Sequence, residues 1–451
     1  MKASAAAGIT HGKLNGNDVE FKNISIDTRT LKPGDLYVAI IGEHLDGHDF
    51  IQAAKEKGAA AVLISKNIST DFPSIIVDDT LKAFTDLAIA HRAQFHLPIV
   101  GITGSCGKTT TRAILDNIFS EAGKTLASVG SFNNHIGVPL TMLQLIKEHQ
   151  YYVQEMGTNH FGEMRALSLA LKPTVAILLG VAPVHLEGFG SVAGVSQAKT
   201  EIFEGLTENG TAIINADDVF ASDWKKAIGN RRTISFGIKN RADIMARDIH
   251  IDENARAKFT LVFPEKMAIP VKLKLLGEHN VYNALAAAAA GFAEKLSPET
   301  IQRGLEKAEA VEKRLVPITT PSGVRIINDS YNANPQAVLA AIQVLKKIPG
   351  EKIVILGDMR ELGSDEIQFH RDLGAEIKHQ GITAFYGYGD LMKYATDRFG
   401  SGAQHFLDKA VLLAALQPTL SSKSVILVKG SKSMKMWEIT EQLLNSSLQD
   451  A

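Results

Sequence analysis

One cysteine, Cys106, stands in 451 residues. That excludes an intrachain disulfide and any zinc site built from several cysteines. An excess of charge is also lacking. Forty-eight Lys and Arg against 49 Asp and Glu leave a formal net charge of −1, so no broad basic field exists to hold a nucleic acid. No unbroken apolar run reaches the roughly 18 residues a membrane span needs. The nearest, Ala284 to Gly291, is short and Ala-rich, and it reads as a tightly packed helix. The opening MKASAAAGITHG carries one lysine with no apolar stretch behind it, which is not the pattern of a secretory signal. Repeats and low-complexity tracts are missing as well. These absences set the expectation of a cytoplasmic protein, monomeric, with no nucleic-acid partner and no membrane span.

What is present is ordinary globular composition, 45% hydrophobic and 22% charged, over a length that suits two or three domains. The pattern divides at 97/98 and 314/315. Residues 1–97 hold strand-like runs (LYVAII from Leu36, AAVLIS from Ala60, SIIVDD from Ser74) around a helix-like FIQAAKEKG. Pro98 then precedes a fresh apolar strand. Residues 98–314 alternate strands (PIVGIT, YYVQEM, PTVAILL, TAIIN) with helical stretches, which predicts a mostly parallel sheet flanked by helices. KFTLVFPEKMAIPVKLKLLG, further on, reads as antiparallel strands. In residues 315–451 the runs VRIINDS, KIVILGD, ITAFYGYG and SVILVKGS read as buried strands ending in polar residues. That is an open α/β unit, whose ligands favour the carboxyl ends of strands.

The strongest chemical signal is TGSCGKTT, between a short strand and a helix. Small residues at Gly104, Ser105, Cys106 and Gly107 let backbone N–H groups turn toward phosphate oxygens, and the helix N-terminus adds partial positive charge. Lys108 would reach the outer phosphates, and the Thr109 hydroxyl would hold Mg²⁺, with Thr110 beside it. The strict phosphate-loop pattern fails, because Ile102 stands where its first glycine belongs. Cys106 reads as a small packing residue, since nothing nearby in sequence would activate it.

Other candidates carry two readings each. Glu155, at the end of YYVQEM, suits a Mg²⁺ carboxylate or a solvated strand end. His185, opening HLEGFGS, suits a metal ligand or a hydrogen-bonded loop histidine. Lys199 lies beside the apolar stripe Val195, Ala198, Ile202 and Phe203. On its residues alone it reads as a surface lysine whose stem packs along that stripe.

Taken in order, TGSCGKTT, FNNHIGVP from Phe132, EMGTNHFGEM from Glu155, HLEGFGS from His185, QAKTEIFEGL from Gln197 and GEHNVYNALAA from Gly277 resemble the Mur ligases, over essentially the whole chain. Three blocks point to the member that acts on a dipeptide: EMGTNHFGEM, INDSYNANPQAV from Ile327, and ILGDMRELG from Ile355. The resemblance implies three α/β domains: a UDP-binding N-terminal domain, a central phosphate-loop ATPase domain with a mostly parallel sheet, and a Rossmann-like C-terminal domain. It implies ATP-dependent joining of D-alanyl-D-alanine to UDP-N-acetylmuramoyl-tripeptide through an acyl phosphate.

It also implies roles that spacing does not give. Lys108 steadies the transferring phosphate, and Thr109 and Glu155 hold one Mg²⁺. His185 binds a second Mg²⁺, and Lys199, carried as a carbamate, orients that ion. This reverses the surface reading of Lys199. Asn280 and Asn283 sit beside adenine, Arg314 binds nucleotide, and Asp329 takes the ribose hydroxyls. Lys313 precedes Arg314 where relatives commonly have Gly. Ser25, Thr28 and Arg29 would contact the UDP moiety, although Asp27 and Arg29 could instead form a surface pair. Asn133, Asn134 and Thr158 would meet sugar and diphosphate, and Tyr331, Asn332, Asn334 and Asp358 the dipeptide. Lys432 stands where relatives often have Arg, and its role is open. Another amide ligase, adding a single amino acid or glutamate, and a P-loop kinase or nucleotide switch are the competing classes.

Overall fold

The protein is described by a computed structural model over residues 1–66 and 72–449. Three sheets organise it into three α/β domains, as the alternating sequence pattern predicts.

The first sheet runs in the order Lys13–Asn15, Ser74–Ile76, Ala61–Ile64, Leu36–Val38, Ile24–Ser25. Only its Lys13–Asn15 edge is antiparallel. Helix Thr80–Arg92 closes one face, started by Asp79, whose carboxylate accepts the Leu81 and Lys82 N–H groups.

The second sheet has nine strands. Thr125–Ala127, Tyr151–Glu155, Ile99–Thr103, Val175–Leu178, Thr211–Asn215, Arg232–Gly237 and Ile244–Ile251 are parallel neighbours in that order. Arg256–Val262 and Ala268–Leu276 extend it as an antiparallel pair, the arrangement expected for the KFTLVF…KLKLL stretch. Its central strands are buried on both faces, so they are continuously apolar rather than alternating. Helix Lys108–Ser120 buries Ile114, Leu115, Ile118 and Phe119 against it, residues at helical spacing. The Ala-rich stretch is the core of helix His279–Ala293, and Ala284 through Ala290 expose nothing. Short side chains on every face let that helix pack closely on all sides, which answers the short apolar run without a membrane. Among the described residues no helix is long and apolar enough to cross one.

The third sheet runs Val316–Thr319, Arg325–Asp329, Ser424–Lys429, Glu351–Gly357, Ala384–Tyr388, Ala403–Phe406. All of it is parallel except the first edge. Helix Pro335–Lys347 starts with Asn334 capping the Ala337 N–H and proline in its first turn. In both larger sheets residues at the carboxyl ends of central strands (Glu155 and, just past its strand, Leu179; Asp329 and Lys429) border one cleft.

Candidate active site

That cleft encloses about 1220 Å³ and is lined by the second and third domains, with Glu43 of the first at its rim. A substrate of several linked groups fits such a space, which exceeds the roughly 300–1,000 Å³ of ordinary small-molecule pockets.

Its floor is the loop between strand Ile99–Thr103 and helix Lys108–Ser120. Gly107 caps the helix at φ +84°, a conformation that disfavours any side chain. A Cβ there would also lie 2.3 Å from the Asn283 Oδ1. Glycine at 107 is therefore fixed by both backbone and neighbour. Lys108 points back into the loop, donating from Nζ to the Gly104 carbonyl at 2.7 Å. Desolvation lowers its pKa, and nearby Glu155 acts against that shift. The Thr109 hydroxyl donates to Glu155 Oε2 at 2.8 Å, and Asn133 Nδ2 donates to Oε1 at 2.8 Å. Glu155 is buried, so the solvated strand-end reading does not hold. Ser105 ties the loop to the neighbouring strand end through Ala182.

Lys199 is 1% exposed. This corrects the reading of a surface lysine lying along its stripe. The stripe correctly marks the inward face, and Lys199 on its edge lines the cleft, near enough to Lys108 and Cys106 for their charges to act on it. Burial and then the charge of Lys108 bring the Lys199 pKa down to about 7. Among the described residues its Nζ makes no hydrogen bond or ion pair. A buried amine that sheds its proton near neutrality is a nucleophile.

A relay runs along the start of the Ala-rich helix. Thr111 Oγ1 donates to Asn283 Oδ1 at 3.3 Å, Asn283 Nδ2 to Asn280 Oδ1 at 2.7 Å, and Asn280 Nδ2 to the Leu276 carbonyl at 2.8 Å. Across the cleft, Asp329 is paired with Lys429 at 2.6 Å, and Lys429 also donates to the Asn332 carbonyl at 2.9 Å. Arg314 stacks on the Tyr331 ring at 4.1 Å, and Lys432 lies 5.9 Å from the same ring. Lys313 adopts φ +60°, the left-handed conformation a glycine would take there. Its ammonium sits over the Trp437 ring at 4.8 Å, so the turn survives the replacement with a compensating contact. Asn334 crosses between domains, donating to the Cys106 sulfur at 3.2 Å. Cys106 thus packs at a domain junction.

His185 also reaches across, with Nδ1 2.5 Å from Glu361 Oε2. That hydrogen bond holds the Glu361 carboxyl below its usual range although burial opposes it.

Of the residues singled out from sequence, Ser105 to Thr110, Asn133, Asn134, Glu155, Thr158, His185, Lys199, Asn280, Asn283, Arg314, Asp329, Tyr331, Asn332 and Asn334 line this one cleft. Gly104 lies beneath it as the acceptor for Lys108. Ser25, Thr28 and Arg29 do not line it. Arg29 is bound to Asp27 in the surface pair allowed for above, Ser25 turns onto the Asp27 carbonyl, and the Thr28 carbonyl takes Lys57. Asp358 is fully buried away from the cleft. Its Oδ1 accepts the Leu391 and Met392 N–H groups and its Oδ2 accepts Arg360. These bonds make it a support for its own domain and leave no free oxygen edge for a dipeptide. Sequence reasoning missed Lys429 and Glu361. A lysine ending a wholly apolar strand, VILVK, was the available signal for the first; the second stands inside the block ILGDMRELG, of which only Asp358 was singled out.

The donor set suits Mg²⁺, which prefers oxygen ligands and takes much of its shell from water and substrate phosphates. Thr109 and Glu155 supply two oxygen groups beside the phosphate loop. Among the described residues no three His, Cys, Asp or Glu side chains form a closed metal cage.

Comparison with known proteins is consistent along the chain. Residues 20–95 match the model for the Mur ligase family catalytic domain, 102–291 the Mur ligase middle domain, and 313–432 the Mur ligase glutamate ligase domain. The UDP-N-acetylmuramoyl-tripeptide–D-alanyl-D-alanine ligase of Escherichia coli strain K12 is 40% identical over 98% of this chain and 97% of its own length. A crystal structure of MurF from Acinetobacter baumannii superposes with a TM-score of 0.94 at 33% identity, covering 98% of both chains. MurF ligase from Thermotoga maritima, solved in complex with ADP, gives 0.86 at 27% identity, covering 95% of this chain and 99% of that one.

Proposed function

The chain belongs to the Mur ligase family, and from that premise we propose how its cleft divides the work. It is an ATP-dependent ligase that joins D-alanyl-D-alanine to UDP-N-acetylmuramoyl-tripeptide, yielding the pentapeptide, ADP and phosphate for peptidoglycan synthesis. A carboxylate is a poor electrophile. Transfer of the γ-phosphoryl group makes it an acyl phosphate, whose leaving group is phosphate, and the dipeptide amine then attacks the acyl carbon.

The observation that carries the residue assignment is the convergence, in one cleft, of the phosphate loop, the Thr109–Glu155 pair and the Arg314–Asp329–Lys429 wall. Loop N–H groups and the helix N-terminus cradle the phosphates. Lys108 exchanges the Gly104 carbonyl for the transferring phosphoryl group. Thr109 and Glu155 would hold one Mg²⁺, and His185 would supply a ligand to a second. Bound there, Mg²⁺ screens the repulsion between phosphate and the incoming carboxylate. Arg314, Asp329 and the Asn280–Asn283 pair take the nucleoside. Lys199, whose amine is neutral over much of the working pH range, adds to CO₂ and becomes the anionic carbamate that supports the second metal position. Asn133, Asn134 and Thr158 serve the sugar diphosphate, with Ser25, Thr28 and Arg29 toward the UDP end. Tyr331, Asn332 and Asn334 serve the dipeptide. The division at 97/98 and 314/315, a cytoplasmic setting and a monomeric state complete the proposal.

Product mass after incubation with UDP-N-acetylmuramoyl-tripeptide, ATP, Mg²⁺ and D-alanyl-D-alanine tests the reading. Pentapeptide is expected, and hydroxylamine in place of the dipeptide should trap a hydroxamate. ATP consumption with neither product would favour a kinase.

A further inference from the structure

The loop 358–363 is anchored firmly to its own domain. Asp358 is held by Leu391, Met392 and Arg360. The Met359 N–H donates to His370 Nε2 at 3.1 Å, and the Arg360 N–H to Ser431 Oγ at 2.8 Å. Beyond these anchors the next residue, Glu361, leaves its domain and meets the central one twice. Its carbonyl accepts the Leu186 N–H at 3.2 Å, and its carboxylate takes His185 Nδ1 at 2.5 Å. Both residues adopt left-handed backbone, His185 at φ +51° and Glu361 at φ +64°. That conformation costs a residue other than glycine roughly 1–2 kcal/mol. Two such residues facing each other at a domain junction point to a functional constraint.

We propose that Glu361 is the positioning residue for His185, so that the second metal position of the central domain is completed by the third domain. The inference rests on the ligand reading of His185 given above. An ionised carboxylate only accepts hydrogen bonds, so Nδ1 carries the hydrogen and Nε2 keeps its lone pair. Among the described residues Nε2 makes no hydrogen bond, which leaves it for the metal. A carboxylate behind a ligating imidazole fixes ring orientation and raises basicity. Here that carboxylate comes from a different domain, carried on a loop whose base cannot drift. Asp358 acquires a function in this arrangement: it holds the support on which Glu361 stands.

The test is Mn²⁺ binding to the enzyme–ADP complex, followed by the electron paramagnetic resonance of free Mn²⁺, for wild type, Glu361→Gln, His185→Ala and the double variant. Glutamine keeps the reach and removes the charge. Expected is a loss of Mn²⁺ affinity of roughly 10- to 100-fold in Glu361→Gln, the range for partners behind a metal ligand, with an unchanged melting temperature. No further loss should appear when the substitution is added to His185→Ala, because the effect passes through the ring. Wild-type affinity in Glu361→Gln would overturn the proposal. So would a full additional loss in the double variant, which would mean that Glu361 acts without His185. Neither UDP-sugar-peptide nor dipeptide enters the assay, so the substrate reading can fail separately. Wild-type affinity in His185→Ala alone would remove the ligand reading and this inference with it.

Discussion

Lys199→Met should make the protein more stable near neutral pH and inactive at any pH. Lys199 is 1% exposed and its pKa falls from 10.5 to about 7. Burial is the main cause, followed by the charge of Lys108. The unfolded chain therefore holds a proton that the folded chain releases between about pH 7 and 10.5. Stability must rise with pH across that window, by up to roughly 1.4 kcal/mol per pH unit. Over the full window this is on the order of 5 kcal/mol, absent below pH 7 and complete above 10.5. Methionine has similar length and no charge, so it removes the slope and keeps the packing. Urea unfolding at pH 7 and 9 in CO₂-free buffer would read it. Wild type should gain about 2–3 kcal/mol relative to the variant between those two values. Parallel profiles would refute the reasoning, because they would mean that the lysine keeps its ordinary proton affinity where it sits. Turnover supplies the second reading. The variant should be inactive with or without bicarbonate, whereas wild type given ¹³C-bicarbonate should show a protein carbamate resonance.

Lys429→Met should cost about 3–5 kcal/mol, the range for breaking a buried ion pair and stranding one partner, because Asp329 would lose the ammonium 2.6 Å away; calorimetry should show it chiefly as an earlier transition of the third domain. Gly107→Ala should weaken nucleotide binding at least tenfold by isothermal titration, since the new methyl group would collide with Asn283 and oppose the left-handed backbone; unaltered affinity would mean that the loop has another accessible conformation. Asp358→Ala should lower the melting temperature and leave the KM for D-alanyl-D-alanine unchanged. A raised KM at unchanged melting temperature would restore Asp358 as a dipeptide contact.

The phosphate loop was legible because its signal is local: small residues, a lysine and two threonines between an apolar strand and a helix. The long parallel strands were legible for the same reason. The strands that escaped are short edges such as Ile24–Ser25 and Thr125–Ala127, too brief for any period to show. Arg232–Gly237 and Ile244–Ile251 also escaped. The second of these is paired on both sides but carries a mixed buried and exposed pattern. Lys199 marks a deeper limit. Periodicity tells which face of a helix turns inward, yet the depth of a residue at the edge of that face depends on what lies above it. Here the surroundings include a loop some 90 positions earlier that lines the same cleft. His185 and Glu361, 176 positions apart, leave no mark on each other's neighbourhood in the sequence.

The polar side-chain contacts that join the third domain to the cleft are individually weak, and they add to the apolar packing of Ala255 and Leu276 against the third domain. Asn334 to Cys106 is a side-chain hydrogen bond to sulfur, and His185 to Glu361 is a partly exposed pair, 29% and 57% accessible. Contacts of these kinds contribute about 1 kcal/mol or less each. Against that stands the nucleotide, which on the proposed assignment uses both walls: the loop for its phosphates, Arg314 and Asp329 for its nucleoside. A ligand at a hundred times its Kd stabilises the state that binds it by about 2.7 kcal/mol, more than any one of these contacts. On the proposed assignment the nucleotide therefore adds to the docked arrangement, in which Glu361 already meets His185. Filling the proposed phosphate site would thus strengthen the docking that keeps Glu361 behind His185, and so couple that site to the proposed second metal position.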